Sequence, residues 1–231
     1  MYLTDYFFSD FDGTISKFDV IHKFIETFAK GDTKKAEKLW MEGKITTKEC
    51  IEIQFKLIDK IKKSEFDDFL SSIEIDEGFI EFYNILKKYN KKLIILSDGF
   101  DVFIKSALEK YNLEEIKFYS NKLIIKENEG FLTFETEYPN LKKECLIGSG
   151  NCKCHAASNY SADYTYIGDG LSDRCIAKKS SLLFAKKSLE TFCKKENIPH
   201  IPYKTFQDII ETLFKENSNA KNDVGKKERN S

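Results

Sequence analysis

Five short apolar runs recur along the chain, at residues 6–9, 93–96, 116–119, 164–167 and 182–185. Helical patterns separate most of them, such as the apolar stripe that Phe79, Ile80 and Tyr83 begin before the second run. Apolar runs of this length that alternate with helices are typical of strands buried on both faces of a parallel sheet. The sequence therefore predicts an α/β fold, a Rossmann-like parallel sheet with helices on both faces.

The stretch between the first run and Asp76 shows helical patterns and no strand pattern. Residues 20–28 mark one helix, and a second has Thr46 as its N-cap and continues through apolar residues to Ile61. A single crossover between two strands requires less helix than this. We therefore expect residues 16–76 to form a small helical cap domain inserted after the first strand.

The remaining residues are expected to form the core of the protein, built from residues 1–15 and 77–215. Within this core, residues 122–126 and 131–136 flank a short polar segment that contains a glycine. This pattern predicts a β-hairpin. Residues 216–231 are polar and charged, which predicts a disordered tail.

Basic and acidic residues balance, with 37 Lys and Arg against 38 Asp and Glu and a net charge of −1. Nucleic-acid-binding proteins normally carry a basic excess or patch, so we expect no nucleic-acid partner. No apolar run approaches the roughly 18 residues of a membrane helix, and the N-terminus lacks the basic start of a signal peptide. We therefore expect no membrane contact and a cytoplasmic location. We also expect a monomer or a homodimer.

The cysteines number six: Cys50, Cys145, Cys152, Cys154, Cys175 and Cys193. In a chain of this length without a signal peptide, free thiols are expected rather than disulfides. Cys145, Cys152, Cys154 and His155 lie close together in sequence, but their spacing differs from the common zinc-ligand patterns. We expect buried or incidental thiols and leave metal binding by this group open.

Carboxylates follow the first apolar run, in the segment Asp10-Phe11-Asp12-Gly13-Thr14. Side chains alternate along a strand, so carboxylates two positions apart point to the same side. Gly13 allows the chain to turn sharply and to approach a ligand closely. The end of this strand therefore has the composition of a catalytic or metal-binding site.

Polar residues also follow two other runs, in Ser97-Asp98-Gly99 and in the segment from Gly168 to Asp173. Lys153 lies just before the helix that precedes the fourth run. Ligands of open parallel sheets bind beyond the carboxyl ends of the strands, where all these residues are expected to meet. Crowded carboxylates require compensating positive charge, which a divalent cation and one lysine would supply.

These segments resemble, in order, the four motifs of the haloacid dehalogenase superfamily of phosphohydrolases. The first is Asp10-x-Asp12-Gly13-Thr14, the second and third centre on Ser97 and Lys153, and the fourth is Gly168-Asp169-Gly170-x-x-Asp173. The match spans nearly the whole chain ahead of the polar tail. The resemblance implies the fold of that superfamily and a Mg²⁺-dependent phosphatase that acts on a small phosphorylated metabolite.

The resemblance also implies a role for each motif residue. Asp10 would be the nucleophile that forms an aspartyl-phosphate, and Asp12 the general acid and base. Mg²⁺ would be held by Asp169, one oxygen of Asp10 and the backbone carbonyl of Asp12, with Asp173 beside or behind the metal. The phosphoryl oxygens would be bound by Ser97, Lys153 and the backbone N–H of Gly99.

A helical insertion directly after the first motif resembles the C1-cap branch of the superfamily, subfamily IB. Phosphoserine phosphatases of that branch carry a glutamate where this chain has Asp19, and a cap arginine that binds the substrate carboxylate. Residues 16–76 contain no arginine, because the only two in the chain are Arg174 and Arg229. A phosphoserine substrate is therefore disfavoured, since lysine replaces a bidentate arginine poorly.

Two other segments bear on the substrate. Residues 150–153 and 200–203 most resemble the methionine-salvage phosphatase of the same branch, which hydrolyses a methylthiopentenyl phosphate. The Gly168-Asp169-Gly170 segment instead resembles the phosphoserine and phosphocholine types. The methylthiopentenyl phosphate is the favoured interpretation, and phosphoserine, phosphocholine and phosphoethanolamine stay open.

Two alternatives belong to other classes of protein. A phosphotransferase would pass the aspartyl-phosphate to an alcohol rather than to water, from the same active site. A binding protein would have lost catalysis, but competent residues at all four motifs argue against this.

Overall fold

The computed structural model describes residues 3–142, 145 and 148–215, and its centre is one eight-stranded sheet. The strands are β1 (Tyr6–Ser9), β2 (Ile61–Lys62), β3 (Lys92–Phe100), β4 (Lys117–Asn128), β5 (Phe131–Glu137), β6 (Tyr164–Gly168), β7 (Leu182–Ala185) and β8 (Ile201–Pro202). They are ordered β2-β5-β4-β3-β1-β6-β7-β8. Pairing is parallel from β4 to β8, whereas β5 and β2 add antiparallel pairs at one edge. The predicted α/β fold is confirmed.

All five predicted runs fall on strands of this sheet. The prediction was wrong in one respect, because residues 116–119 and 122–126 do not belong to separate strands. Both fall on β4, whose first part pairs in parallel with β3 and whose second part pairs with β5 in the predicted hairpin. The two parts of β4 pair with different strands but form one continuous backbone. The sequence pattern does not distinguish such a strand from two separate ones.

Helices cover both faces of the sheet. They are α1 (Val20–Phe28), α2 (Lys34–Met41), α3 (Thr47–Phe55), α4 (Lys63–Ser71), α5 (Phe79–Lys88), α6 (Asp101–Lys110), α7 (Lys153–Ser158), a 3-10 turn (Leu171–Asp173), α8 (Arg174–Ala177), α9 (Lys187–Glu196) and α10 (Phe206–Ile210), which continues as a π-helical turn (Glu211–Lys215). Phe7 packs into the core beneath α5, α6 and α10, and its neighbour Phe8 into the core beneath α7, α8 and α9. Successive side chains of β1 therefore point into the two apolar layers on opposite faces of the sheet, as expected for a sheet covered by helices on both faces.

The inserted segment contains α1 to α4 and the short strand β2. Thr46 caps α3 as predicted, in a capping box with Glu49. The prediction that this helix runs to Ile61, with no strand in the insertion, was wrong. The helix ends at Phe55, and Ile61 pairs with Leu132 in β2 instead. The division into a cap of residues 16–76 and a core stays a prediction.

Two further expectations concern the polar tail and contact with a membrane. The tail predicted at residues 216–231 lies outside the described residues. Within the described part, no helix has both the length and the apolar character needed to cross a membrane.

A buried group of phenylalanines joins the inserted segment to the sheet. Phe24 of α1 is fully buried, and its ring centroid lies 5.0–5.9 Å from six others. We call this group the aromatic cluster: Phe24, Phe28, Phe55, Phe66, Phe69, Phe103 and Phe134. Phe103 belongs to α6 and Phe134 to β5, so the cluster crosses from the insertion to the rest of the protein.

Because Phe24 contacts every other member of this cluster, its truncation would leave a large cavity. We expect Phe24→Ala to lower the free energy of unfolding by about 3–5 kcal/mol. Ile53→Ala is a matched control on α3, where Ile53 is 40% exposed, and we expect a loss of about 0.5 kcal/mol or less. Urea denaturation measures both, and equal losses would contradict the central position of Phe24.

Candidate active site

The end of β1 brings two carboxylates to the edge of the sheet. Asp10 follows the strand directly and is 5% exposed. The turn after Asp12 places Gly13 at φ +69°, where a Cβ atom would lie 2.5 Å from Oδ2 of Asp169. Glycine is therefore required here both for its backbone conformation and for the close approach of the Asp169 carboxylate.

The end of β3 supplies Ser97, Asp98 and Gly99, where the register with β4 shifts. The Asp98 carboxylate is buried and accepts hydrogen bonds from Ser149 Oγ at 2.7 Å and from the N–H of Asn151 at 2.9 Å. The side chain of Asn151 donates in turn to the carbonyl of Ser97 at 2.8 Å. These bonds fix the loop that leads into α7 against the end of β3.

This loop positions Lys153, the first residue of α7. Its ammonium lies 2.8 Å from Oδ1 of Asp10 and 2.6 Å from Oδ1 of Asp173, and the residue is 3% exposed. Burial alone would lower the pKa of Lys153, but the carboxylates of Asp10, Asp173 and Asp98 outweigh it and raise the pKa. Lys153 is therefore a permanently charged cation beneath Asp10.

Asp173 is fully buried behind this ammonium. Its Oδ1 accepts from Lys153 and from the hydroxyl of Tyr166 at 2.6 Å, and its Oδ2 from the N–H groups of Asp169 and Gly170 at 3.1 Å. A carboxylate offers about four lone-pair sites, and these donors use all of them. These hydrogen bonds let Asp173 orient Lys153, and its place beside or behind a metal stays a prediction.

Oxygen atoms of Asp10, Asp169 and Asp173 lie within 4.8 Å of one another, the one such group of three in the described part of the chain. Burial raises the pKa of Asp10 well above its ordinary value, and the carboxylates of Asp173, Asp169 and Asp12 add to this against the opposing effect of Lys153. Hard oxygen donors of excess negative charge are the ligands that Mg²⁺ prefers. Asp10 and Asp169 therefore offer oxygen atoms that fit a magnesium ion, whereas the Asp173 oxygens already accept the hydrogen bonds named above.

Asp12 faces the same site from the turn. Its Oδ2 accepts a hydrogen bond from Ser97 Oγ at 3.1 Å and its Oδ1 from the N–H of Val20 at 3.1 Å. Burial, and after it the charge of Asp19, raise the pKa of Asp12 to about 7. A carboxyl group with such a pKa can both donate and accept a proton near neutral pH.

Two residues with predicted roles have other hydrogen bonds in the structure. The N–H of Gly99 donates to Ser97 Oγ at 2.7 Å, so a phosphoryl oxygen would have to replace that hydroxyl as its acceptor. Asp19 is the N-cap of α1 and accepts from the N–H of His22 at 2.8 Å. Asp19 still lies along the cavity that contains Asp10 and Asp12.

That cavity has a volume of about 490 Å³ and lies between the strand ends and the inserted segment. Its floor includes Asp10, Asp12 and Asp169. The inserted segment contributes a mostly apolar wall: Ile21, Ile25, Trp40, Met41, Cys50 and Ile51, together with His22, Glu37, Thr47 and Gln54. Such a wall would contact the part of a substrate that is not phosphate.

The residues predicted to meet at this edge of the sheet lie there in the structure: Asp10, Asp12, Ser97, Gly99, Lys153, Asp169 and Asp173. Sequence reasoning assigned no role to Asp98 or Asn151, which fix the loop before Lys153. It also missed Lys187, whose ammonium lies 2.9 Å from Oδ2 of Asp169. Lys187 follows the end of β7, so the strand-end rule already applied to the other runs would have found it.

Cys145, Cys152, Cys154 and His155 are not among the clustered ligands of the described residues, and metal binding by this group stays open. All six cysteines are free thiols, and in the described residues the one group of clustered ligands is the carboxylate group described above. Burial raises the pKa values of Cys152 and of Cys154, the latter to about 12, so both thiols stay protonated.

Two solved structures with the same fold are phosphoserine phosphatases. The chain superimposes on a phospho-aspartyl intermediate analogue of phosphoserine phosphatase with a TM-score of 0.69 and 24% identity, covering 91% of this chain and 99% of that one. A substrate-bound phosphoserine phosphatase gives a TM-score of 0.70 at 22% identity, with 92% and 100% covered. The described residues therefore share the fold of these two phosphoserine phosphatases.

Sequence comparison shows the family to which this protein belongs. The chain belongs to the family described as Putative Phosphatase, whose model matches residues 7–190. Its relatives include proteins named 2-hydroxy-3-keto-5-methylthiopentenyl-1-phosphate phosphatase. The one from Bacillus pumilus is 31% identical, with 87% of each chain covered, and the one from Bacillus cytotoxicus is 29% identical, with 89% of this chain and 94% of the relative covered.

The raised pKa of Asp12 makes stability depend on pH. The folded-state pKa of about 7 exceeds the ordinary value of 3.8, so the folded protein holds this proton more tightly than the unfolded chain. The contribution to stability is full at low pH and is lost as pH rises towards 7. As the pH rises from about 5 to about 8 in EDTA, we expect the free energy of unfolding of the wild type to fall. In Asp12→Asn this fall should be smaller by on the order of 1–3 kcal/mol.

Urea denaturation at the two pH values measures this difference. Asp59→Asn is the control, because hydrogen bonds from the Lys60 N–H and from Lys30 lower the pKa of the exposed Asp59, which then does not titrate in this range. Parallel pH curves for the wild type and Asp12→Asn would show that the Asp12 carboxyl is not held protonated by its surroundings.

Proposed function

We propose that this phosphatase hydrolyses a phosphomonoester in a Mg²⁺-dependent reaction that passes through an aspartyl-phosphate on Asp10. The observation that carries the proposal is the buried pair of Asp10 and Lys153, 2.8 Å apart, in which Asp10 lines a cavity that Asp12 also lines. A nucleophile and a proton donor thus face one space, and a cation lies directly beside the nucleophile. This combination suits transfer of a phosphoryl group to a carboxylate.

In the first step, a carboxylate oxygen of Asp10 attacks phosphorus and the ester P–O bond breaks. We assign the attack to Oδ2, because Oδ1 accepts hydrogen bonds from Lys153 and from the N–H of Phe11. Asp12 gives its proton to the departing alkoxide oxygen, which leaves as an alcohol. Asp12 is held for this role by the N–H of Val20 and the hydroxyl of Ser97.

In the second step, the ionised Asp12 takes a proton from water, whose oxygen attacks phosphorus. The P–O bond to Asp10 breaks, inorganic phosphate leaves, and both carboxyl groups regain their starting states. Lys153 stabilises the charge on the phosphoryl oxygens, together with Ser97 and the N–H of Gly99. Mg²⁺ held by Asp10, Asp169 and the carbonyl of Asp12 would neutralise further negative charge on those oxygens.

The favoured substrate is the methylthiopentenyl phosphate named for the relatives from the two Bacillus species. Its apolar methylthio end suits a wall that contains Ile21, Ile51 and Met41. Phosphoserine is the less favoured alternative, since no arginine lines the described cavity to bind its carboxylate. Phosphocholine and phosphoethanolamine also stay candidates, because Glu37 and Trp40 on the same wall can contact a cation.

Phosphate release from these substrates, measured side by side, tests the choice. The methylthiopentenyl phosphate is expected to give the highest kcat/KM. A higher value for phosphoserine or phosphocholine would replace it as the proposed substrate. Adding small alcohols and analysing the products for phosphate esters separates a hydrolase from a phosphotransferase. A cytoplasmic location and a monomeric or dimeric state stay predictions.

Asp10→Asn removes the proposed nucleophile with almost no change in volume. We expect kcat for p-nitrophenyl phosphate to fall by about 10³-fold or more, because the covalent route is closed. Circular dichroism is expected to show a folded protein, and Lys17→Gln, at a half-exposed surface lysine, is the control that keeps full activity. Turnover retained by Asp10→Asn would overturn the mechanism.

Removal of divalent cations tests the metal dependence separately. We expect EDTA to abolish phosphate release from p-nitrophenyl phosphate and added Mg²⁺ to restore it, because the carboxylate cluster otherwise repels the phosphate dianion. The measurement is the initial rate at increasing Mg²⁺ concentration. A rate that is unchanged after dialysis against EDTA would contradict this part of the proposal.

A further inference from the structure

A second lysine reaches the carboxylate site, and none of the four motifs contains it. Lys187 is the first residue of α9, just beyond the end of β7. Its ammonium lies 2.9 Å from Oδ2 of Asp169 and 3.0 Å from the carbonyl oxygen of Gly13. Lys187, which follows β7, therefore contacts residues that follow two other strands, β1 and β6.

The backbone holds Lys187 in an unfavourable conformation. Its φ is +50°, in the left-handed region that residues with a Cβ atom usually avoid. It also lies at the N-terminus of a helix, where the helix dipole disfavours a cation. Strain of this kind persists where surrounding contacts impose it, and it is concentrated at functional sites.

The contacts that impose it come from Asp169. The carbonyl oxygen of Asp169 accepts hydrogen bonds from Ser188 Oγ at 3.1 Å and from the N–H of Leu189 at 2.9 Å. Three consecutive residues of α9 are thus bonded to one residue of the site. This arrangement aims the ammonium of Lys187 at the Asp169 carboxylate.

Asp169 is also the residue proposed to bind Mg²⁺ through its side chain. Its Oδ1 accepts from Thr14 Oγ1 at 3.1 Å, and its Oδ2 is paired with Lys187. An ammonium and a divalent cation repel each other and require the same carboxylate. The Lys187 side chain is 54% exposed, so its ammonium has a path into solvent.

We propose that Lys187 is a resident counter-ion of Asp169 that competes with Mg²⁺ and is displaced when the metal binds. The proposal rests on the Mg²⁺ dependence proposed above. It makes Lys187 a positioning residue that lowers the affinity for the metal while it compensates the charge of Asp169 in the metal-free protein.

Lys187→Gln tests the proposal, because glutamine removes the charge and keeps the same backbone strain. We expect the Mg²⁺ dissociation constant, measured by isothermal titration calorimetry, to decrease by about 5- to 20-fold. In EDTA the variant should melt a few degrees below the wild type, since Asp169 has lost its counter-ion. At saturating Mg²⁺ the two melting temperatures should agree, because the metal replaces the ammonium.

Lys186→Gln is the matched control. It removes the same charge one residue away, where the ammonium lies 3.4 Å from the carbonyl of Thr14 and over the ring of Tyr203. Its effect on the Mg²⁺ dissociation constant should be clearly smaller. Lys187→Arg retains the charge and should leave the dissociation constant within about twofold of the wild type.

The outcomes separate this proposal from the one on which it rests. If the wild type binds Mg²⁺ and Lys187→Gln binds it with the same dissociation constant, the proposed competition is wrong. The proposed Mg²⁺ dependence would still stand. Equal changes in the Lys186 and Lys187 variants would also overturn the competition, since they would reflect net charge only. An equal drop in melting temperature with and without Mg²⁺ would reduce Lys187 to a structural contact. Wild-type protein that binds no Mg²⁺ would overturn both proposals.

Discussion

The ammonium of Lys153 lies almost fully buried between the carboxylates of Asp10 and Asp173, and the rest of the site is arranged around this contact. Removing one partner from a buried ion pair leaves an uncompensated charge, which typically costs about 3–5 kcal/mol. The surrounding hydrogen bonds therefore hold every partner in place. Asp98 and Asn151 fix the loop ahead of Lys153, and Tyr166 fixes Asp173 from below.

The strand ends of the sheet were predictable because their chemistry is local. An apolar run followed directly by Asp10 and Asp12 identifies a buried strand and the polar edge beyond it without any knowledge of tertiary contacts. The same reasoning brought Ser97 and Asp169 to that edge, since parallel strands present their carboxyl ends on one side. The covering of both faces of the sheet followed from the alternation of runs and helices.

Other features depend on contacts between distant segments, and the sequence alone does not encode them locally. The apolar spacing from Ile51 to Ile61 fits a helix, but Ile61 is buried by pairing with Leu132, about seventy residues away in the chain. The direction of the Lys187 side chain depends on a left-handed backbone that hydrogen bonds to Asp169 impose. Neither pairing nor backbone strain leaves a periodic signal.

The aromatic cluster has a consequence for how a substrate reaches the cavity. Phe24 on α1 contacts Phe103 of α6 and Phe134 of β5, so rotating the whole insertion away would expose these rings to water. The second helix, α2, contributes no ring to that cluster, and its last residue, Met41, is 67% exposed at the rim of the cavity. The cluster therefore fixes α1, α3 and α4 against the sheet, so displacing α2 alone would expose fewer of its rings than moving the whole insertion.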